Sequence, residues 1–246
     1  MSRMILKGRN LEKTYHKDAL KTKVLKGVDI DLEEGEFVSI MGKSGSGKST
    51  LLNILSSLDS PDEGEVLFGE REITHLGEEE KARLRRESFG FVFQLPKMIR
   101  NLSILDNILL PSTEYGKNKK ETIAKAKRLM KRLEIEQIAG NRISQASGGQ
   151  LQRAGICRAL INDPKILFAD EPTGALDSKT GQEVLDLFSA FHAEGKSILM
   201  VTHDIHVASR ADRVLFMKDG LLLDELRLGA DRKEGVKQIQ ERVSAL

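Results

Sequence analysis

Cysteine is almost absent from this chain of 246 residues, in which Cys157 is the only one. A single cysteine excludes an intramolecular disulfide framework and fits a reducing compartment. Cys157 lies in an apolar helical pattern, which favours a small buried side chain over a nucleophile. Long apolar runs are absent too, since none approaches the roughly 20 residues that cross a bilayer. The amino terminus meets charge too early for a signal peptide. The sequence alone therefore predicts a soluble chain, so that any membrane span would belong to another chain.

A strong excess of either charge is also lacking, because the formal net charge is only +2. Composition therefore gives no argument for nucleic acid as a partner. One stretch, residues 117–132, is locally basic, and Ala126 and Met130 recur there at helical spacing among apolar residues. This pattern favours a solvated helix face. A surface near anionic lipid stays open as the alternative.

Short apolar runs bounded by turn residues predict an α/β fold. Several runs are apolar throughout, as expected for strands covered on both faces, and helical patterns lie between them. Lys218-Asp219-Gly220 predicts a hairpin turn. The stretch up to about residue 35 is typical of paired antiparallel strands closed by the turn at residues 33–36. The predicted strand cores are Val24–Leu32, Glu36–Met41, Val66–Phe68, Phe89–Phe93, Ile166–Ala169, Ser197–Thr202 and Val214–Met217.

The domain organisation predicted from these patterns is a single domain over residues 1–246 with an inserted helical part. Residues 1–95 and 163–226 would form a core with a mostly parallel sheet and an antiparallel β part at the amino terminus. Between residues 96 and 162 the strand signal disappears and helical periodicity dominates, which predicts a helical subdomain. Residues 227–246 are charged with weak helical spacing, which is typical of a peripheral helix or a frayed tail.

A glycine-rich loop between an apolar run and a helical pattern carries the most information. It fits G-x-x-x-x-G-K-[ST], a P-loop whose backbone N–H groups surround phosphate while the lysine reaches the β- and γ-phosphates. The serine hydroxyl that follows would ligate Mg²⁺. The alternative is a flexible Gly/Ser turn, which the strand and helix on either side disfavour. The nucleotide-binding residues predicted here are Gly42, Lys43, Ser44, Gly45, Ser46, Gly47, Lys48, Ser49 and Thr50.

Two further patterns suit phosphate chemistry. Asp170 and Glu171 end an apolar strand, where an acid supports Mg²⁺ in P-loop enzymes and the next one can polarise a water. The alternative for this pair is a strand followed by a polar turn. The segment 147–150, Ser-Gly-Gly-Gln, opens a helical run, so that its free N–H groups and hydroxyl could bind an anion. Taken alone, Ser147 is more typical of an ordinary helix cap.

These residues, in this order, resemble the ATP-binding subunit of an ABC transporter over nearly the whole chain. The P-loop, the Walker B pair Asp170 and Glu171, and the switch histidine His203 match the family. Departures are Ala146, where the family usually has leucine, and Ile143, where close relatives carry proline. The remaining matches are the Q-loop Gln94, the signature Ser147, Gly148, Gly149 and Gln150, the D-loop Asp177, and Tyr15 at the place of the aromatic that stacks on adenine.

The resemblance implies a head-to-tail dimer in which ATP lies between the P-loop of one copy and the signature of the other. Lys48, Glu171 and His203 would be catalytic, and Mg²⁺ would be bound through Ser49, Gln94 and Asp170. Tyr15 could instead be an ordinary half-buried loop aromatic. An integral membrane permease would be the second partner and would hold the chain at the cytoplasmic face of the membrane, with no nucleic acid involved.

Within the family, the segments around Gln94 and Asp170 resemble a branch of macrolide and antimicrobial-peptide exporters, lipoprotein-release systems and a cell-division pair. Export of an antibiotic, a peptide or a lipid-linked substrate is therefore expected. A division-type regulator that signals without cargo, and a soluble ABC ATPase that works on DNA or ribosomes, are the alternatives. The apolar residues Leu95, Pro96, Met98 and Ile99 would either dock the permease or pack inside the subdomain.

Overall fold

The computed structural model describes residues 3–17, 20–112 and 118–245. Predictions that include residues 1, 2, 117 and 246 therefore lie, at those positions, outside the described residues. The strands in chain order are β1 (Met4–Lys17), β2 (Leu20–Glu33), β3 (Phe37–Met41), β4 (Glu63–Phe68), β5 (Arg71–Glu72), β6 (Phe89–Phe93), β7 (Ile166–Asp170), β8 (Ser197–Thr202), β9 (Arg213–Lys218) and β10 (Leu221–Arg227). The α-helices are α1 (Lys48–Leu55), α2 (Glu78–Ser88), α3 (Ile104–Leu109), α4 (Lys119–Arg132), α5 (Gly148–Leu160), α6 (Ser178–Ala193), α7 (Ile205–Ala208) and α8 (Arg232–Ala245).

The chain divides into two compact units. The first comprises Met1–Lys81 with His192–Leu246, and the second comprises Ala82–Phe191. In the first unit, the antiparallel sheet has the order β2-β1-β4-β5, and its first two strands pair over almost their full length. The antiparallel β part predicted for the amino terminus is confirmed. The turn at residues 33–36, however, does not close this pair but leads from β2 into β3.

A second set of strands in the first unit surrounds β3. Here β3 pairs in parallel with both β8 and β9, and β10 adds an antiparallel edge through the predicted hairpin. Every residue of β3 and β8 is buried, as the uniformly apolar runs predicted. The helix α8 packs Ile239 into a cluster with Met41 and Phe216, so the carboxy-terminal segment is a docked helix as far as Ala245.

The second unit combines two parallel strands with helices. In it, β6 pairs with β7, and α5, α4 and α6 bury one apolar stripe each. Cys157 is fully buried on α5, and burial raises the pKa of its thiol to about 12, which agrees with an inert side chain. Ala126 and Met130 lie on the buried face of α4, while the cationic side chains of this helix are mostly exposed.

Residues 96–112 and 118–162 contain helices and short 3₁₀ turns, and their only strand-like contact is a bridge between Ser103 and Arg142. The predicted α/β fold with an inserted helical part is therefore observed, while the exact subdomain limits stay a prediction. No helix in the described part of the chain is both long and apolar enough to span a bilayer.

Candidate nucleotide-binding site

The P-loop occupies the turn between β3 and α1 in the first unit. Gly47 stands at the amino-terminal cap of α1 with φ of 105°, a left-handed conformation that glycine adopts without strain. No side chain caps this end of α1, which suits a helix start that binds an anion. A Cβ at Gly42 would lie 2.1 Å from the backbone oxygen of Met217, so only glycine fits there. The loop therefore has the geometry that its sequence predicted.

Two side chains inside the loop indicate what it is built to bind. Lys48 is almost fully buried, and its Nζ donates to the backbone oxygens of Gly42 at 2.8 Å and Lys43 at 2.9 Å. The Ser46 Oγ is buried and has no hydrogen-bond partner among the described residues. A buried polar atom without a partner costs free energy unless a ligand satisfies it. The loop thus fits a phosphate group, which would accept from Ser46 and Lys48.

His203 directly follows the end of β8, as the P-loop directly follows the end of β3. The register of these parallel strands places Met41 opposite Thr202, so Gly42 and His203 leave neighbouring strand ends. His203 is exposed, and Asp204 caps the short helix α7 behind it through the N–H groups of His206 and Val207. The first unit therefore brings the predicted switch histidine to the phosphate loop.

Tyr15 lies on β1 with 40% of its surface exposed. Its hydroxyl donates to Asp59 Oδ2 at 2.7 Å, and the Lys13 Nζ lies 5.4 Å from the ring centroid. The Thr50 side chain of α1 also hydrogen-bonds to this hydroxyl. Burial, the largest effect, raises the pKa of Tyr15, whereas the bond with Thr50 lowers it. Tyr15 is therefore an exposed aromatic beside the P-loop helix rather than a packed core residue.

In the second unit, Gln94 and the two acids leave neighbouring strands. Phe93 of β6 is opposite Asp170 of β7, so Gln94 and Glu171 both follow at the carboxyl edge. A Cβ at Gly174 would lie 2.8 Å from the Gln94 Nε2 and 3.4 Å from the Glu171 Oε2, which shows that both side chains reach the same point. Glu171 has φ of 46°, a conformation that a non-glycine residue rarely adopts. Strained backbone of this kind is frequent at functional sites.

The signature segment forms the amino-terminal end of α5. Ser147 is its cap: the Gln150 N–H donates to the Ser147 Oγ at 3.3 Å, and the Ser147 N–H donates to the Gln150 Oε1 at 2.9 Å. The cap interpretation of Ser147 is confirmed, and anion binding at the same helix start stays a prediction. Ile143–Gln145 is a 3₁₀ turn that enters this cap through the extended Ala146.

Signature and D-loop share a polar cavity of about 500 Å³ in the second unit. Asp177 accepts from the Thr180 N–H at 3.0 Å and from the Thr180 hydroxyl at 2.7 Å, which caps the start of α6. A Cβ at Gly149 would lie 2.4 Å from the Thr180 Cγ2, so the two segments are tightly packed. One concave surface therefore includes Ser147, Gly148, Gly149, Gln150 and Asp177.

Some residues around these sites were not predicted. Arg153 lines the cavity and pairs with Glu183 at 2.6 Å, and its spacing of three from Gln150 on one helix was the available signal. Lys13 shares a strand face with Tyr15, since the two are separated by two positions. Asp59 gave no signal at all, because it lies 44 positions from Tyr15 in the chain.

The profile of the ABC transporter family matches residues 25–174 of this chain. The chain belongs to the ABC transporter family. It is an ATP-binding cassette with the P-loop NTPase fold and is an ATPase. A dimeric structure of the bacterial ABC transporter cassette MJ0796 is 42% identical, with a TM-score of 0.85, and the match covers 92% of this chain and all of that one. A post-hydrolysis dimer of the same cassette bound to ADP and Pi is 40% identical with a TM-score of 0.82, over the same shares of both chains.

Curated relatives of this ABC cassette are named as export proteins. The macrolide export ATP-binding/permease protein MacB of Campylobacter jejuni is 46% identical over 83% of the chain. The pyoverdine export ATP-binding/permease protein PvdT of Pseudomonas fluorescens is 45% identical over 88% of the chain. The matched region is 32% of the first relative and 33% of the second, so this chain spans about a third of their length.

Proposed function

We propose that this chain hydrolyses ATP as one of two cassettes in a head-to-tail dimer and couples hydrolysis to a membrane permease that exports its cargo. The observation that carries the proposal is a pair of helix starts suited to phosphate, one at α1 and one at α5. With two copies, each P-loop binds one nucleotide and each signature completes the site of the other copy. The dimeric form of the similar cassette supports this arrangement.

In the proposed site, the P-loop binds and orients the phosphates. Lys48 and the N–H groups at the start of α1 contact the β- and γ-phosphates. Ser147 and Gly149 of the second copy approach the same γ-phosphate from the other side. Because these donors are preorganised by the loop and by the α5 cap, they stabilise negative charge without reorganising during the reaction.

The donor set for a metal fits Mg²⁺. Ser49, Asp170 and Gln94 offer hydroxyl, carboxylate and amide oxygens, which are the ligand types that Mg²⁺ prefers. When bound, Mg²⁺ neutralises charge on the β- and γ-phosphate oxygens. The protein ligands are few because Mg²⁺ in such sites takes phosphate oxygens and water as its other ligands.

Glu171 and His203 are the proposed residues for proton movement and charge. Glu171 accepts a proton from the water that attacks the γ-phosphorus, and its left-handed backbone fixes the carboxylate at the end of β7. His203 donates a hydrogen bond to the γ-phosphate from the neighbouring strand end. Once phosphate leaves, the contacts joining the two copies weaken and the dimer opens, which is the movement passed to the permease.

The permease, the cargo and the location of the complex are inferred from the relatives. Two of them join an ATP-binding part to a permease, and both are named for export. We therefore place this chain at the cytoplasmic face of the membrane, with an antibiotic, a peptide or a lipid-linked compound as cargo. Leu95 and Ile99 are 69% and 50% exposed, which favours docking of the permease over packing inside the subdomain.

The test is the Glu171→Gln variant of the purified protein. We expect its rate of ATP hydrolysis to fall at least about a hundredfold while ATP is still bound, because the amide cannot accept the proton. A stable ATP-bound dimer should then be seen by size-exclusion chromatography. Glu241→Gln, an exposed carboxylate on α8, is the matched control and should hydrolyse ATP normally.

Unchanged turnover in Glu171→Gln would contradict the assignment of the base. A wild-type protein that binds ATP and dimerises but never hydrolyses it would favour the regulatory alternative over the exporter.

A further inference from the structure

The ring of Tyr15 is held by a network of charged side chains that its strand alone does not provide. The Tyr15 hydroxyl donates to Asp59 Oδ2 at 2.7 Å, and the Lys13 Nζ donates to Asp59 Oδ1 at 2.9 Å. Lys13 also lies 5.4 Å from the ring centroid, within the range of a cation–π contact. Lys13 thus lies over the ring and the hydroxyl is hydrogen-bonded, while 40% of Tyr15 is exposed.

Asp59 is in turn fixed to the helix that begins at the P-loop. Its backbone N–H donates to the Asn53 oxygen of α1 at 3.1 Å, and its Oδ1 accepts from the Ser60 N–H at 2.7 Å. Lys13 is held as well, because its Nζ donates to the Ser60 oxygen at 2.6 Å. The Tyr15 ring is therefore attached to α1 through Asp59, although Tyr15 itself lies on β1. The phosphate loop is attached to the same helix directly, because it precedes α1 in the chain.

Electrostatics agree with a charged, persistent network. Burial alone would raise the pKa of Asp59, but hydrogen bonds from Tyr15 and Lys13 outweigh it and hold that pKa below its usual range. Burial and the hydrogen bond to Asp59 both raise the pKa of the Tyr15 phenol. At neutral pH Asp59 is therefore an anion and Tyr15 a neutral donor, which is the stronger, charge-assisted form of this hydrogen bond.

We propose that Asp59, supported by Lys13, is a positioning residue that holds the Tyr15 ring in the orientation in which it stacks on the adenine of ATP. The inference rests on the proposed function together with the expectation, from the family resemblance, that Tyr15 stacks on adenine. A ring already fixed relative to α1 loses less conformational entropy when the nucleotide binds. Removal of the hydroxyl or of Asp59 should therefore weaken ATP binding, even though Tyr15→Phe keeps an aromatic ring.

The first experiment measures the dissociation constants of ATP and of inorganic tripolyphosphate, which has no base. Tyr15→Phe and Asp59→Ala should each weaken ATP binding roughly three- to tenfold, the cost of ordering one freed side chain on binding, and should bind tripolyphosphate like the wild type. Asp59→Asn keeps one acceptor oxygen where Tyr15 and Lys13 use two, and should recover the affinity only in part. Glu12→Gln is the matched control and should bind both ligands normally. Glu12 lies on β1, the strand of Tyr15, and its substitution breaks a 2.5 Å pair with Lys23 of β2.

A double-mutant cycle then tests whether the two residues act together. Tyr15→Phe combined with Asp59→Ala should be no weaker than either single variant, since both remove the same hydrogen bond. In steady-state kinetics the KM for ATP should rise while kcat at saturating ATP is retained. A purely structural role for Asp59 would instead lower stability and affect tripolyphosphate as well as ATP.

The chain offers a direct optical measurement, because it contains no tryptophan and only two tyrosines. In a Tyr115→Phe background, the phenolate absorbance reports Tyr15 alone. Its titration midpoint should lie above the ordinary value for tyrosine and should fall on Asp59→Ala. A midpoint that Asp59→Ala does not change would overturn the network.

The remaining outcomes separate this proposal from the proposed function. If Tyr15→Ala loses ATP affinity but Tyr15→Phe and Asp59→Ala do not, the stacking contact stands and the positioning role of Asp59 is wrong. If Tyr15→Ala binds ATP normally, both the contact and its positioning are wrong. The ATPase assignment would survive either result, since it depends on Glu171→Gln.

Discussion

At the scale of single residues, the phosphate loop requires a residue without a Cβ at Gly42. Gly42 has no room for a Cβ, because it would lie 2.1 Å from the Met217 oxygen and 2.8 Å from the Ser46 Oγ. The obstructing oxygen belongs to the backbone of β9, which cannot move aside as a flexible side chain would. The close approach of β9 to the loop is thus possible only with glycine at this position.

Gly42→Ala should therefore lower both stability and nucleotide binding. We expect a loss of about 2 kcal/mol or more in the free energy of unfolding, since overpacking against backbone is not relieved by rotamer changes. Chemical denaturation would measure the stability and tripolyphosphate binding would measure the loop. Gly229→Ala is the control, because a Cβ there meets nothing within 4 Å. Equal stability of the two variants would contradict the steric argument.

At the scale of elements, the amino-terminal end of α5 is both a helix cap and a proposed phosphate contact. Ser147 caps the helix through its side chain, while the N–H groups of the glycines after it are the ones proposed to bind phosphate. A helix cap and an anion-binding site place different requirements on the side chain at position 147. A capping side chain can carry a negative charge, whereas a negative charge in an anion-binding site repels the ligand.

Substitutions at Ser147 should separate these demands. Ser147→Ala removes the cap and should cost about 1 kcal/mol of stability. Ser147→Asp keeps a capping oxygen and should retain most of the stability. It should nevertheless abolish ATP-driven dimerisation and turnover, because its carboxylate repels the γ-phosphate. Thermal unfolding and an ATPase assay on both variants measure this, and an active Ser147→Asp would exclude contact between the signature and phosphate.

Element prediction succeeded where burial is uniform. The strand cores at β3, β7 and β8 were predicted because they are mostly apolar, and all of their residues except Asp170 are buried. The helix α2 was not predicted, since three of its first residues are acidic and among its members only Lys81 is buried. A helix without an apolar stripe gives no periodic signal, so only the folded chain shows it.

At the scale of the whole molecule, Arg213 of β9 joins the two sheets of the first unit and forms a buried ion pair with Glu36, which precedes β3. The Arg213 Nε donates to the Glu36 Oε1 at 2.7 Å, and both side chains are 7% exposed. Arg213 also donates to the Asp31 oxygen of β2 at 2.7 Å and to the Glu225 Oε2 of β10 at 2.9 Å. Burial alone would lower the pKa of Arg213, but Glu36 outweighs it and raises that pKa.

Breaking this pair should destabilise the first unit strongly. Arg213→Met leaves Glu36 buried without its partner and should cost about 3–5 kcal/mol. Arg9→Met, which breaks the Arg9–Asp31 pair with side chains 39% and 36% exposed, should cost about 1 kcal/mol or less. Urea denaturation compares the two variants. Similar losses would mean that the burial of the Arg213 pair adds nothing.

The sequence by itself determined the motifs, because the spacing of the P-loop, the strand-end acids and the capping serine is local in the chain. It determined the uniformly buried strands for the same reason. The tertiary structure alone decided which distant residues meet: Asp59 with Tyr15, Arg213 with Glu36, and Ser46 left buried without a partner among the described residues. Such contacts join segments far apart in the chain, and no local pattern of side chains encodes them.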